Sequence, residues 1–103
     1  PALAQDRVVL VVHGGAGAPP KGTMSKDAEK AHRDAIELAL KTGRDALIKG
    51  SSLDGVEAAI RVLEDSPLFN AGKGAVFNRD GRQELNASIM DGKTKKAGAL
   101  AGI

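Results

Sequence analysis

Hydrophobic positions along the chain fall into one apolar run, two stretches of helical spacing and three short strand-like segments. Arg7-Val8-Val9-Leu10-Val11-Val12-His13 holds five consecutive β-branched or aliphatic residues, which predicts a strand buried on both faces. The glycines and prolines of 14–20 end it, because neither Gly clusters nor Pro-Pro continue a strand. Ser25 predicts the N-cap of a long helix, with Ala28, Ala35, Ala39, Thr42 and Ala46 along one face, small enough for a close neighbour. Gly43 interrupts that helix at a cost of about 1 kcal/mol relative to alanine, and Gly50 fits the position just past its end. Ser51 and Asp54 offer a capping box for a second helix. Leu53, Val56, Ile60 and Leu63 follow at helical spacing, and Pro67 stops the helix near Asp65. After a loop over Leu68–Gly74, three strands are expected at Ala75–Asn78, Glu84–Met90 and Lys96–Ile103. Asp80-Gly81 suits a type I′ hairpin and Asp91-Gly92 a second turn. Leu85, Ala87 and Ile89 share a face. The order strand, helix, helix, antiparallel meander predicts a layered α/β or α+β fold, with two helices covering one face of a sheet.

Composition narrows the picture. Fifteen Lys+Arg stand against 13 Asp+Glu, a formal charge of +2, which argues against a nucleic-acid reader. No apolar run approaches the roughly 20 residues needed to span a bilayer. Without cysteine there is no disulfide, thiolate zinc site or cysteine nucleophile. The 103 residues allow one domain, and 13 glycines with only Phe69 and Phe77 as aromatics make a poor core. Ordering such a chain costs on the order of 150 kcal/mol of conformational entropy, which points to a piece of something larger. Ala97–Ile103 stops inside an apolar stretch with no polar tail, so 7–103 reads as a domain incomplete at its C-terminus. Residues 1–6 read as a signal-peptide remnant or a disordered start. An A-x-A cleavage pattern at Ala2-Leu3-Ala4 implies a periplasmic or secreted protein, and its alternative a cytoplasmic one.

Candidate chemistry is sparse. His13-Gly14-Gly15-Ala16-Gly17 after a strand could form an anion nest. Pro20 stands where a dinucleotide fingerprint needs its third glycine. Gly92-Lys93-Thr94 resembles the end of a P-loop, but Ala87 replaces the first glycine and no helix follows. His32 reads as solvated on a polar helical face, and His13 as a hydrogen-bonded structural residue or a general base. No Ser/His/Asp constellation is legible. Leu68-Phe69-Asn70-Ala71-Gly72-Lys73-Gly74 is either a plain connection with Phe69 packed, or a backbone-rich site. In the second reading Asn70 orients a reacting group and carbonyls face a cation.

Val12-His13-Gly14-Gly15-Ala16-Gly17, Pro67–Gly74 and Ala87-Ser88-Ile89-Met90-Asp91-Gly92, in this order, resemble the N-terminal part of the plant-type asparaginases, or isoaspartyl peptidases, of the N-terminal-nucleophile hydrolases. The resemblance runs from about Arg7 to Ile103. It implies an αββα sandwich and a precursor that cleaves itself before a threonine into α and β subunits. That threonine then serves as nucleophile, its freed α-amine as base. The implied reaction is hydrolysis of L-asparagine and β-aspartyl dipeptides, with no catalytic cofactor. Implied partners are the rest of the α subunit, the β subunit and a second αβ unit; no nucleic acid or membrane is implied. Thr23, Thr42 and Thr94 do not match the nucleophile, so no catalytic residue is assigned in this chain. The resemblance places His13, Gly14, Gly15 and Asn70 beside the active site. It also implies a structural sodium on the main-chain carbonyls of Leu63, Glu64, Ser66, Phe69, Ala71 and Lys73. Asn86 departs from a position that is commonly acidic. Two readings compete: a non-catalytic truncated domain, and a small anion-binding module using the Gly14–Gly17 loop.

Overall fold

In a computed structural model describing residues 7–17 and 19–103, two helices form the body of the fold: α1, Lys26–Lys49, and α2, Ser52–Asp65. Their ends are set locally. The Ser25 side chain accepts the Ala28 N–H at 3.1 Å. Ser51 and Asp54 cap each other reciprocally, the Ser51 N–H reaching the Asp54 carboxylate at 2.7 Å. Gly50 closes α1 through its N–H to the Ala46 carbonyl at 2.9 Å. The signal-peptide reading of Ala2-Leu3-Ala4 lies outside the described residues.

The helices meet through small residues. Ala39, Gly43, Gly55, Ala59 and Leu63 are buried. A Cβ on Gly43 would lie 2.8 Å from the Ala59 Cβ and 2.9 Å from the Gly55 carbonyl oxygen. So Gly43 does not break α1; it lets α2 approach. The same closeness corrects the expected face of α2. The glycine-alanine side turns inward, leaving Leu53, Val56 and Ile60 36–44% exposed. Ala28, Ala35, Thr42 and Ala46 are half-buried along α1, as their spacing predicts.

Strand expectations fare less well. Val8–Val12 pairs with no strand among the described residues. Leu10 and Val12 are half-buried while Val9 and Val11 are each 82% exposed, so the segment is covered on one side only. Ala75–Asn78 forms no ladder either, and Val76 and Phe77 are exposed. What remains of the meander is one antiparallel pair, β1 (Ala87–Met90) with β2 (Ala97–Leu100), in register Ala87↔Leu100 and Ile89↔Gly98. Leu85 and Ile103 extend it by exchanging backbone hydrogen bonds at 2.9 and 3.1 Å. Every residue of β1 and β2 is exposed, so the helices do not cover this sheet.

The turn expected at Asp91-Gly92 is present, joining β1 to β2, whereas that at Asp80-Gly81 differs from type I′. At 78–82 the Gly81 N–H bonds the Asn78 carbonyl at 3.0 Å, and Gly81 alone is left-handed, φ +75°. A type I′ turn needs both central residues at positive φ; a tight turn followed by a left-handed glycine is the three-residue solution. At 91–96 the left-handed residue is Lys95, φ 59°, not Gly92.

The fold is therefore α+β: a helical pair, a long glycine-rich connection and a small sheet. A core of Ala39, Leu63 and Phe69, flanked by Ala35, Ile36 and Val62, joins helices and connection. The chain spreads over 48 × 34 × 19 Å with a radius of gyration of 15.8 Å, against about 13 Å for a compact domain of this size.

Candidate functional site

Three segments distant in sequence meet at one cleft of about 770 Å³: His13–Gly17, Leu68–Ala71 and Asn86–Ser88, with His32 and Glu64 from the helices. Phe69 is the hinge of the arrangement. Buried to 6% exposure, it anchors the loop leaving α2. A Cβ on Gly14 would touch its ring at 3.4 Å and the Ile36 side chain at 3.5 Å, so the glycine turn lies directly on the core.

His13 is exposed, and its Nδ1 accepts the Gly15 N–H at 3.0 Å. An accepting Nδ1 leaves the neutral ring's proton on Nε2. Gly15 and Gly17 take φ of +106° and +79°, which glycine adopts without a Cβ penalty. His32 departs from the solvated reading. It is half-buried with its ring edge-on to Phe69, centroids 5.7 Å apart, and its Nδ1 lies 2.8 Å from the Ala28 carbonyl. A carbonyl only accepts, so Nδ1 donates there, the opposite tautomer to His13. Spacing held the signal: His32 shares the α1 stripe of Ala28, Ala35 and Ala39.

Asn70 is exposed on the cleft wall, and its Oδ1 accepts the Val76 N–H at 3.0 Å. This bond braces the loop across its mouth and turns the amide so that Nδ2 keeps both protons for another acceptor. Asn86 uses its Oδ1 on the Gly102 N–H at 3.1 Å, closing the sheet beside the cleft. Glu64 supplies the one carboxylate among the described lining residues.

The loop beneath Asn70 is dense in carbonyls. Those of Leu63, Phe69 and Ala71 accept N–H groups of Ser66, Ala71 and Gly74 at 3.3, 2.8 and 3.0 Å, each keeping a second lone pair. A Cβ on Gly72 would collide with the Glu64 carbonyl oxygen. One on Gly74 would collide with that of Phe69 and stand 2.8 Å from that of Pro67. The two glycines thus let the main chain fold tightly past these carbonyls, and carbonyl oxygens are the kind of donor a hard cation takes. The Lys73 ammonium points elsewhere, to Asp65 at 3.2 Å on the exposed side. No group of three or more His, Asp or Glu side chains suited to a metal forms among the described residues.

Away from the cleft, two carboxylates are held below their usual range. At Asp54 the Ser51 N–H and then its hydroxyl are responsible; at Asp91, the Thr94 hydroxyl and then the Lys93 N–H. Each folded pKa lies below the unfolded value of about 3.9. The associated stability is therefore complete above that value and is lost as pH falls through the lower folded one. Acid titration followed by carboxyl carbon shifts should show Asp54 and Asp91 titrating below an unstructured reference peptide. Reference-like titration at Asp91 would mean that the Thr94 bond does not persist in solution.

A family model described as asparaginase matches residues 6–103. Among curated proteins, the isoaspartyl peptidase of Escherichia coli K12 is 49% identical over 98 residues, covering 94% of this chain and 30% of that protein. For the isoaspartyl peptidase of Salmonella typhimurium the figures are 48% over 99 residues, 95% and 32%. The plant-type L-asparaginase of Pyrococcus furiosus is 50% identical over 96 residues, 93% of this chain and 30% of that protein. The chain thus spans about three tenths of the length of these relatives. Among the described residues, no helix is long and apolar enough to cross a membrane.

Proposed function

The chain belongs to the asparaginase family, and from that membership we propose that the protein carrying it is a self-processing threonine amidohydrolase acting on L-asparagine and β-aspartyl dipeptides. The carrying observation is the convergence of the His13–Gly17, Leu68–Ala71 and Asn86–Ser88 segments, each carrying part of a family-like motif, on one cleft. In this reading the chain forms part of an αββα sandwich and of an α subunit, completed by a β subunit, with two αβ units pairing.

The threonine nucleophile comes from outside these residues. A terminal-threonine mechanism needs a hydroxyl beside a free α-amine. Thr23 and Thr94 lie inside turns, their hydroxyls donating to the Pro20 carbonyl at 2.6 Å and the Asp91 carboxylate at 2.7 Å. Thr42 is half-buried within α1. The role of this chain is to position. Asn70, its oxygen occupied by Val76, offers Nδ2 protons to the reacting group. The Gly14–Gly17 turn brings main chain close to it. A sodium ion held by the carbonyls of Leu63, Glu64, Ser66, Phe69, Ala71 and Lys73 would stiffen the loop that carries Asn70.

Full-length protein should release ammonia from L-asparagine and aspartate from β-aspartyl dipeptides after self-cleavage, and the 103-residue chain alone should release neither. Ammonia release by the chain alone, above a heat-killed control, would place the nucleophile within it and overturn the reading.

A further inference from the structure

Three Asp–Gly dipeptides occur: Asp54-Gly55, Asp80-Gly81 and Asp91-Gly92. Glycine leaves the following amide nitrogen unshielded, so it can reach the aspartate Cγ wherever the carboxyl is free to turn. In two of the three pairs the carboxylate is tied down. The Asp54 carboxylate accepts from the Ser51 N–H and hydroxyl at 2.7 and 2.8 Å, and the Gly55 N–H is tied to the Ser51 carbonyl at 3.1 Å in the first turn of α2. The Asp91 carboxylate accepts from the Thr94 hydroxyl at 2.7 Å and the Lys93 N–H at 3.2 Å. These bonds hold both groups ionised, and a carboxylate anion is a poor electrophile.

Asp80 differs. It is exposed at a hairpin tip, and among the described residues no hydrogen bond or ion pair engages its carboxylate. Gly81 is left-handed with nothing within 4 Å of where a Cβ would stand; its N–H, bonded to the Asn78 carbonyl at 3.0 Å, is freed when the exposed tip opens, without unwinding a helix.

We propose that Asp80-Gly81 is a site of spontaneous isoaspartate formation. The Gly81 nitrogen gives its proton to solvent and bonds to the Asp80 Cγ. A Cγ–O bond breaks and the oxygen leaves as water, forming a five-membered imide. Water then adds to the former main-chain carbonyl of Asp80, and the C–N bond there breaks. The chain now runs through Cβ and Cγ with a new α-carboxylate, and its mass is unchanged. The longer backbone cannot keep the tip, where the Asn78 N–H meets the Arg82 carbonyl at 2.7 Å and the Asn78 Oδ1 receives the Asp80 and Arg82 N–H groups at 2.9 Å each.

The test ages full-length protein in warm neutral buffer, then scores each Asp–Gly peptide for the β-linkage by isoaspartyl methylation and fragment mass. Asp80 should convert at least about tenfold faster than Asp54 or Asp91, since rates follow local opening. In denaturant the three rates should converge. Thr94→Val should speed conversion at Asp91, and Asp80→Glu should abolish it at position 80. Equal rates in the folded protein, a lead for Asp54 or Asp91, or an Asp80 that stays intact while denatured chain converts would each overturn the proposal.

Discussion

Replacing Asn70 by alanine in the full-length protein is expected to lower kcat by about 10²–10³, the range for loss of a positioned donor at a reacting centre, or about 2.7–4 kcal/mol. The stability cost should be much smaller. Asn70 is exposed and its one bond braces the Val76 N–H, which water can reach. An ordinary hydrogen bond contributes only about 0.5–1.5 kcal/mol net. Asn70→Asp separates the two roles. A carboxylate still accepts from Val76 but has no Nδ2 protons to give, so the melting temperature should hold while kcat falls as far as in the alanine variant. Steady-state kinetics beside thermal melts decide the matter. Wild-type turnover in Asn70→Asp would reduce Asn70 to a brace for its loop.

Gly43→Ala should destabilise the helical pair, although alanine is the better helix former by about 1 kcal/mol. The added methyl meets the Ala59 Cβ at 2.8 Å and the Gly55 carbonyl oxygen at 2.9 Å; of its close neighbours only the Leu10 side chain, at 2.7 Å, can swing aside. Overpacking of this kind typically costs about 1–3 kcal/mol, so the clash should outweigh the propensity gain. Circular dichroism should record a lower melting temperature with the helical signal intact at low temperature. A raised one would mean that the helices separate without cost and that their glycines matter only for backbone entropy.

The two helices were legible because capping is local chemistry. Ser25, the Ser51–Asp54 box and Gly50 act within one turn of themselves, and α1 and α2 begin and end where they indicate. Which side of α2 turns inward was not legible. Leu53, Val56 and Ile60 make the more hydrophobic stripe, yet distance of approach favours Gly55 and Ala59. Strands are made by partnership, so the apolar run Val8–Val12 names a preference and no partner. The site divides the same way. His13, Gly14, Gly15 and Asn70 stand out as motif positions, and the structure brings all four to one cleft. The contact of His32 with Phe69 joins residues far apart in sequence. Only the helical spacing from Ala28 to Ala39 hinted at it.

Phe69 belongs at once to the core, through Ala39 and Leu63, and to the cleft, through Gly14 and His32. The side chain that anchors the site thus also packs on both helices, in the buried hydrophobic cluster found among the described residues. The glycine turn and the Asn70 loop should therefore open only together with the helical pair, as one exchange unit, and not as a separate fraying segment. The Gly74 amide proton, bonded within the loop to the Ala71 carbonyl, would share a single opening free energy with those in the middle of α2. Evolution can then hardly loosen this wall of the cleft for new substrates without spending global stability.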